Sequence, residues 1–288
     1  MTKDVRIKFL DLFSGIGGFS LGFIGAGVKF SYHAYSEIDP YASNIYKRRF
    51  PYAEGLGNIK SIQPDNLPEI DIITFGSPCQ DISISGRRGG LRANRSSLFF
   101  EALRIIEAKR PKNFIFENVK GLFSSNEGQD FDIVLRSIAD IGYDGQWQLL
   151  NTRLVCGLPQ HRERIYFVGH IRGKPIPQVF PISGDVPKTN IILKQIGTIG
   201  DDSEATRVYD PRGVSRTIKY GGGMGAKTGL YMIDNKIRRL TPTEVEKVQG
   251  FPVGHTDGYS DAQRYKCLGN AVSVPVVEKI ARRLIKGE

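Results

Sequence analysis

Short apolar runs alternate with amphipathic stretches through the first 170 residues. Residues 7–12 read as a buried strand and 17–27 as the helix after it. Residues 32–36 form a second strand, and 40–50 a helix with Pro40 in its first turn. Residues 70–75 are a continuous apolar strand. In 97–109, Leu98, Phe99, Ala102, Leu103, Ile105 and Ile106 fall at helical spacing, and Pro111 closes the element. A strand at 113–116, a helix at 131–139 and a strand at 165–168 continue the alternation. Strands alternating with helices predict a parallel sheet covered by helices on both faces, an α/β nucleotide-binding architecture.

The texture changes near Gly169. Residues 173–188 carry Pro175, Pro177, Pro181 and Pro187, which suits a linker and edge strands but not helices. Residues 189–237 show short β-like runs and a triple glycine at 221–223, so 171–267 read as a smaller, mostly β lobe. Thr241, Pro242 and Glu244 carry the signature of a capped helix start. Residues 269–286 place Val276, Val277, Ile280, Ala281 and Leu284 at helical spacing.

Composition narrows the classes. The 288 residues suffice for one large core, or one core with a small second lobe. No apolar stretch approaches the roughly 20 residues of a membrane span, and the polar start predicts no secretory signal. Three cysteines, Cys79, Cys156 and Cys267, are too few and scattered for a disulfide framework or a zinc site, so no metal is expected and a reducing cytoplasm fits. Forty basic against thirty acidic side chains give a charge of +10, which favours a polyanionic partner.

Three segments carry chemistry. The first, residues 11–19 (DLFSGIGGF), is a strand running into a glycine-rich turn and a helix, where glycines permit tight turns and close ligand approach. A plain β–α turn and a dinucleotide site compete here, but the full G-x-G-x-x-G spacing is missing, the next glycine being Gly22. Glu37, after the second strand, suits a ribose diol. The second segment is Gly76-Ser77-Pro78-Cys79-Gln80, directly after the 70–75 strand, where such sheets bind ligands. A small buried hydrophobe is the commonest fate of a free cysteine, and Cys156 and Cys267 keep that reading. The third comprises Glu117-Asn118-Val119, ending an apolar strand, and Gln160-His161-Arg162-Glu163-Arg164. Alternation puts both arginines on one face of a strand; a structural ion-pair ladder is the rival.

Together these motifs resemble those of the DNA cytosine-5 methyltransferases, over nearly the whole chain. The resemblance implies an S-adenosylmethionine-dependent, Rossmann-like large domain (1–170 plus 268–288), completed by the returning C-terminal helix, and a smaller, mainly β target-recognition domain (171–267). It implies methyl transfer from S-adenosylmethionine to C5 of a cytosine flipped out of a short specific duplex DNA sequence. Cys79 would add to C6 and Glu117 would serve N3. Asn118 would orient the carboxylate, and Arg162 and Arg164 would bracket the ring's O2. Phe13, Ser14, Gly15, Gly17 and Gly18 would form the cofactor loop. Phe13 and Ile38 would flank the adenine, Glu37 would hold the ribose, and Asn58-Ile59 would meet the adenine amino group. Pro78, Leu98, Asn270, Ala271 and Val272 would complete the pocket.

The chemistry explains the residue types. Cytosine C5 is a poor nucleophile until a thiolate adds at C6, and a carboxyl that gives or shares a proton at N3 relieves the resulting charge. The base must leave the duplex to meet a thiol below its face. Arg87, Arg88, Arg92 and Arg95, among serines and glycines in 81–95, suit a mobile phosphate-seeking loop. DNA contacts are expected from Ser85, Arg87, Arg88, Arg207, Tyr209, Thr217, Tyr220, Gly222 and Gly223. The 207–229 stretch is similar to the recognition region of a GCGC-specific bacterial member, which implies a guanine–cytosine-rich site. Glu204 stands where that member has a glutamine filling the vacated base stack. A monomeric, cytoplasmic bacterial or phage-encoded enzyme follows, with double-stranded DNA as partner and a cognate restriction endonuclease as a candidate second one. A catalytically silent DNA-binding protein and an RNA cytosine-5 methyltransferase stay open as alternatives.

Overall fold

The computed structural model describes residues 5–78, 98–184, 192–219 and 228–287. Its centre is a seven-stranded sheet: β1 (Arg6–Leu12), β2 (Lys29–Ser36), β3 (Glu54–Gly55), β4 (Ile72–Phe75), β5 (Asn113–Val119), β6 (Tyr143–Asn151) and β7 (Glu163–Ile171), in the order β3-β2-β1-β4-β5-β7-β6. β1 to β5 are mutually parallel, as the alternation predicts. β7 departs from that expectation. It runs antiparallel between β5 and β6 and makes the sheet mixed.

The hydrophobic pattern predicts no strand at β6, because its sequence, YDGQWQLLN, is polar and interrupted by Gly145. Its glutamines have structural partners. Gln146 donates to the Pro177 carbonyl (2.8 Å) and accepts from Val179 and Phe180, while Gln148 exchanges bonds with Ile182. These amides tie the proline-rich 177–182 segment across the sheet, where it forms no regular strand.

Helices α1 (Gly18–Gly25), α2 (Pro40–Arg49), α3 (Leu98–Lys109), α4 (Gln129–Asp140) and α5 (Thr152–Cys156) follow their strands. The stripe predicted on α3 is buried at Phe99, Ala102, Leu103, Ile105 and Ile106. α6 (Pro242–Gln249) starts at a complete capping box between Thr241 and Glu244, as its sequence signals. The C-terminal region divides into α7 (Asp261–Asn270) and α8 (Val274–Lys286). α8 buries Val276, Val277, Ile280, Ala281 and Leu284 with Phe9 and Phe23 of the large sheet's layer. Full burial contributes roughly 1.5–3 kcal/mol for each of the larger side chains, which fixes the chain's end against its beginning. A Cβ at Gly18 would meet Val272 at 2.6 Å and one at Gly22 would meet Val277 at 2.4 Å, so α1 carries glycine where this C-terminal segment lies against it.

A second, four-stranded sheet comprises β8 (Gln195–Thr198), β9 (Arg207–Tyr209), β10 (Leu230–Ile233) and β11 (Lys236–Arg239), in the order β11-β10-β9-β8. Asp234 and Asn235 both take positive φ, which closes the tight β10–β11 hairpin.

Candidate active site

Register brings distant residues to one line. Ser36 pairs with Leu12, Leu12 with Phe75, and Phe75 with Phe116, so these four share one row across β2, β1, β4 and β5. The next residue on each strand is Glu37, Phe13, Gly76 and Glu117. All four line a cleft of about 600 Å³ at the carboxyl ends of the strands. Arg162, Arg164 and Asn118 close its β7 side, and Lys266, Cys267, Gly269 and Asn270 of α7 form another wall.

At the β1–β2 end the backbone is built around Glu37. One carboxylate oxygen accepts from the Gly15 amide (2.8 Å) and the other from the amides of Ile38 (2.8 Å) and Asp39 (2.7 Å). Gly15 takes φ +54, and Phe13, unusually for a bulky residue, takes φ +52. That conformation is strained and keeps the phenyl ring at the cleft. Ile38 is 71% exposed, a large apolar side chain standing uncovered in a concave site. Asn58 also lines the cleft, its Oδ1 accepting from the Lys60 amide and keeping a second lone pair.

Ile59, Pro78 and Leu98 complete the expected residues that line the cleft. Five others stand outside the lining. Ser14 is buried with an unpartnered hydroxyl, Gly17 caps α1, Gly18 packs on Val272, and Ala271 and Val272 are buried. They support the cleft from behind.

At the β5–β7 end, Arg164 Nε lies 3.1 Å from Glu117 Oε1, with both side chains nearly buried. The N–H is not aimed at that oxygen, which has no aligned donor. The pair is therefore an ion contact rather than a hydrogen bond. A Cβ on Gly76 would sit 3.2 Å from Glu117 Oε2, so glycine there leaves room for the carboxylate. Arg162 is 2% exposed and donates to the carbonyls of Ala271 (2.7 Å) and Ile218 (3.4 Å). Burial, then the neighbouring Arg164 charge, pull its guanidinium down to about 9, against the opposing pull of Glu117. It remains a cation at neutral pH. Glu163 points elsewhere and pairs with Lys120 at 2.9 Å.

Asn118 differs from expectation. Its amide donates to the Ser77 carbonyl (3.2 Å) and accepts from the Val119 amide (2.8 Å) rather than holding the carboxylate. It anchors the 76–78 turn to β5 instead. Cys79 itself, together with Ser85, Arg87, Arg88, Arg92, Arg95, Tyr220, Gly222 and Gly223, lies outside the described residues. The other two thiols are poor nucleophiles, since burial pushes both Cys156 and Cys267 up to about 12.

On the small sheet, Tyr209 is only 4% exposed and packs against Tyr231. Tyr209, expected at the DNA, thus has its ring inside the small sheet's packing. Arg207 is paired with Asp202 (2.7 Å), and the Thr217 hydroxyl donates to the His161 carbonyl. Glu204 holds both Arg216 and Lys219.

Sequence reasoning missed Ser36, Asp39, Ala42, Gly76, Ser77, Val119, Lys266 and Gly269 as cleft residues, and Cys267 as part of its wall. For Gly76 and Ser77 the signal was present in their adjacency to Pro78. Among the described residues no group of three or more His, Cys, Asp or Glu could hold a metal ion, and no described helix is long and apolar enough to cross a membrane.

A mixed α/β sheet carrying a ligand cleft at its strand ends, with a glycine loop at one end and a Glu–Arg pair at the other, defines a Rossmann-like ligand-binding fold. The chain belongs to the C-5 cytosine-specific DNA methylase family, whose model matches residues 7–210 and 187–286. It is 32% identical to the type II methyltransferase M.HhaI of Haemophilus parahaemolyticus, over 96% of this chain and 93% of that one. It is 36% identical to M.NgoBI of Neisseria gonorrhoeae, over 94% and 90%. Among solved structures, the S. pombe Dnmt2 methyltransferase shares the fold with a TM-score of 0.76 at 20% identity, over 98% of this chain and 99% of that one.

Proposed function

We propose that the cleft binds S-adenosylmethionine at its Phe13–Glu37–Ile38 end and a cytosine, rotated out of duplex DNA, at its Glu117–Arg164 end. The observation that carries this reading is the shared row of strand ends, which opens both ends into one cleft. The residues fit such a cofactor. Exposed Ile38 and strained Phe13 offer apolar faces to a purine, and Glu37, beyond the three amides it already accepts, keeps one lone pair for a ribose hydroxyl on the oxygen that accepts from Gly15. Asn58 Oδ1 can accept from an amino group.

Bound there, S-adenosylmethionine supplies an electrophilic methyl group. Cys79, following Pro78 at the cleft, adds as thiolate to C6 of the cytosine. Glu117 gives or shares a proton at N3, so electron density gathers at C5. Arg164 holds the carboxylate and faces O2 with Arg162. After C5 is methylated, a base, for which water suffices, takes the C5 proton, N3 returns its proton to Glu117, and the thiolate leaves C6, which restores the ring. Extrusion of the base costs a few kcal/mol, which contacts to the phosphates and the vacated stack offset. Residues 171–267 act as the target-recognition domain of a monomer, and 1–170 plus 268–288 as the catalytic domain. The protein serves bacterial restriction-modification in the cytoplasm, with a cognate endonuclease as its companion.

The test measures transfer of a labelled methyl group to duplex DNA and, in parallel, to tRNA, by the wild type and Cys79→Ala. Incorporation into DNA C5 by the wild type alone supports the reading. Incorporation only into tRNA establishes the RNA enzyme, and DNA binding without transfer establishes a silent binder.

A further inference from the structure

A polar cluster lies where the chain of the small sheet meets the cleft arginine. Gln160 is 0% exposed, and neither its amide oxygen nor its nitrogen has a hydrogen-bond partner. Ser215 is buried with its hydroxyl equally unpartnered, and Arg162, its Nη groups committed to Ile218 and Ala271, keeps Nε without one. The backbone holds the three together. Gln160 and Ser215 form an isolated parallel bridge. Ser215 donates to the Pro159 carbonyl (2.6 Å), His161 to the Ser215 carbonyl (3.0 Å) and Arg162 to the Gln160 carbonyl (3.0 Å). A buried polar group without a partner is costly, whereas an apolar side chain of the same shape avoids that cost. Such a cost concentrated beside one guanidinium calls for a use.

We infer that Gln160 is a positioning residue that acts through Arg162. Its amide and the Ser215 hydroxyl, bridged by buried water, seat the Arg162 Nε. The aim of Arg162 into the cleft then depends on the 214–218 segment resting against residues 159–161. Ser215 lies between β9 and β10, so engagement of the small sheet with a target site is linked to the arginine that faces the base. The inference rests on the reading of the cleft given above.

The experiment compares the full-length wild type with Gln160→Met and Ser215→Ala, alone and combined with Arg162→Lys. Melting temperature, cofactor affinity, KM for DNA and turnover are measured for each. Gln160→Met keeps the shape but removes the amide that seats the arginine, and its melting temperature shows whether the variant is folded. Its turnover falls roughly 10–100-fold, the scale seen when a group that orients a ligand-contacting residue is lost. Cofactor affinity and KM stay unchanged, and the loss is not additive with that of Arg162→Lys. Wild-type turnover in folded Gln160→Met, or additive losses, overturns the inference. Should Gln160→Met fail to fold, full turnover in folded Ser215→Ala overturns it equally. Absence of transfer by the wild type itself defeats the reading of the cleft and takes this inference with it.

Discussion

Glu117 and Arg164 sit 47 positions apart and meet because β5 and β7 pair antiparallel, Val119 opposite Arg164 and Glu117 opposite Tyr166. Replacing the carboxyl by an amide keeps the shape but removes proton transfer to the base. Glu117→Gln is therefore expected to lower methyl transfer at least about 100-fold, the usual lower bound for a positioned acid, with duplex affinity retained. Unchanged single-turnover rates would remove Glu117 from the chemistry. His255 gives a second residue-scale expectation. It is buried against the Ile16 carbonyl (2.8 Å), and burial, aided by Arg49 and Arg48 and opposed by that bond and Glu246, lowers its pKa from 6.5 to about 4. Between those values the unfolded chain takes a proton that the folded chain refuses, so the stability this group contributes is present above pH 6.5 and is lost as pH falls toward 4. The melting temperature of His255→Gln should fall less steeply than that of the wild type between pH 7 and pH 5. Equal slopes would contradict this. That Glu117, Arg162 and Arg164 share one site is implied by the family resemblance; the Glu117–Arg164 contact and the duty of Asn118 are not, because Ser77, the partner of Asn118, is 41 residues away and only the folded turn aims the carbonyl at it.

Elements with strong periodicity were legible and those with mixed patterns were not. β1, β4 and α3 follow directly from their apolar runs. β6 and α7 did not, because their buried positions alternate with glutamine, aspartate and lysine whose partners come from elsewhere in the chain. Without a visible β6, the sequence pattern carries no sign of the antiparallel placement of β7. The α1–α8 contact allows a direct check. A methyl at Gly22 would stand 2.4 Å from Val277 Cγ1 and 3.0 Å from the Glu278 amide nitrogen, which a side-chain rotation cannot relieve. Overpacking costs about 1–3 kcal/mol, and the gain in helix propensity recovers only about 1. Gly22→Ala is expected to lower the melting temperature, and a rise would show that α8 can slide.

At the scale of the whole molecule, the row of strand ends makes one cleft out of residues from Phe13 to Asn270. The motif order implied such a site, yet the α7 wall and the inward placement of Tyr209 depend on packing that no local pattern records. A net charge of +10 predicts that duplex binding weakens steeply with salt, as phosphate contacts release counterions. A flat response in a titration of affinity against salt would take the basic residues out of the interface. The most direct measurement incubates unmethylated genomic DNA with purified protein and S-adenosylmethionine, then reads every cytosine by bisulfite sequencing. Protected cytosines in one short repeated context are the expected result. Complete conversion at every site, by protein shown to be folded and to bind the cofactor, would contradict the proposed activity.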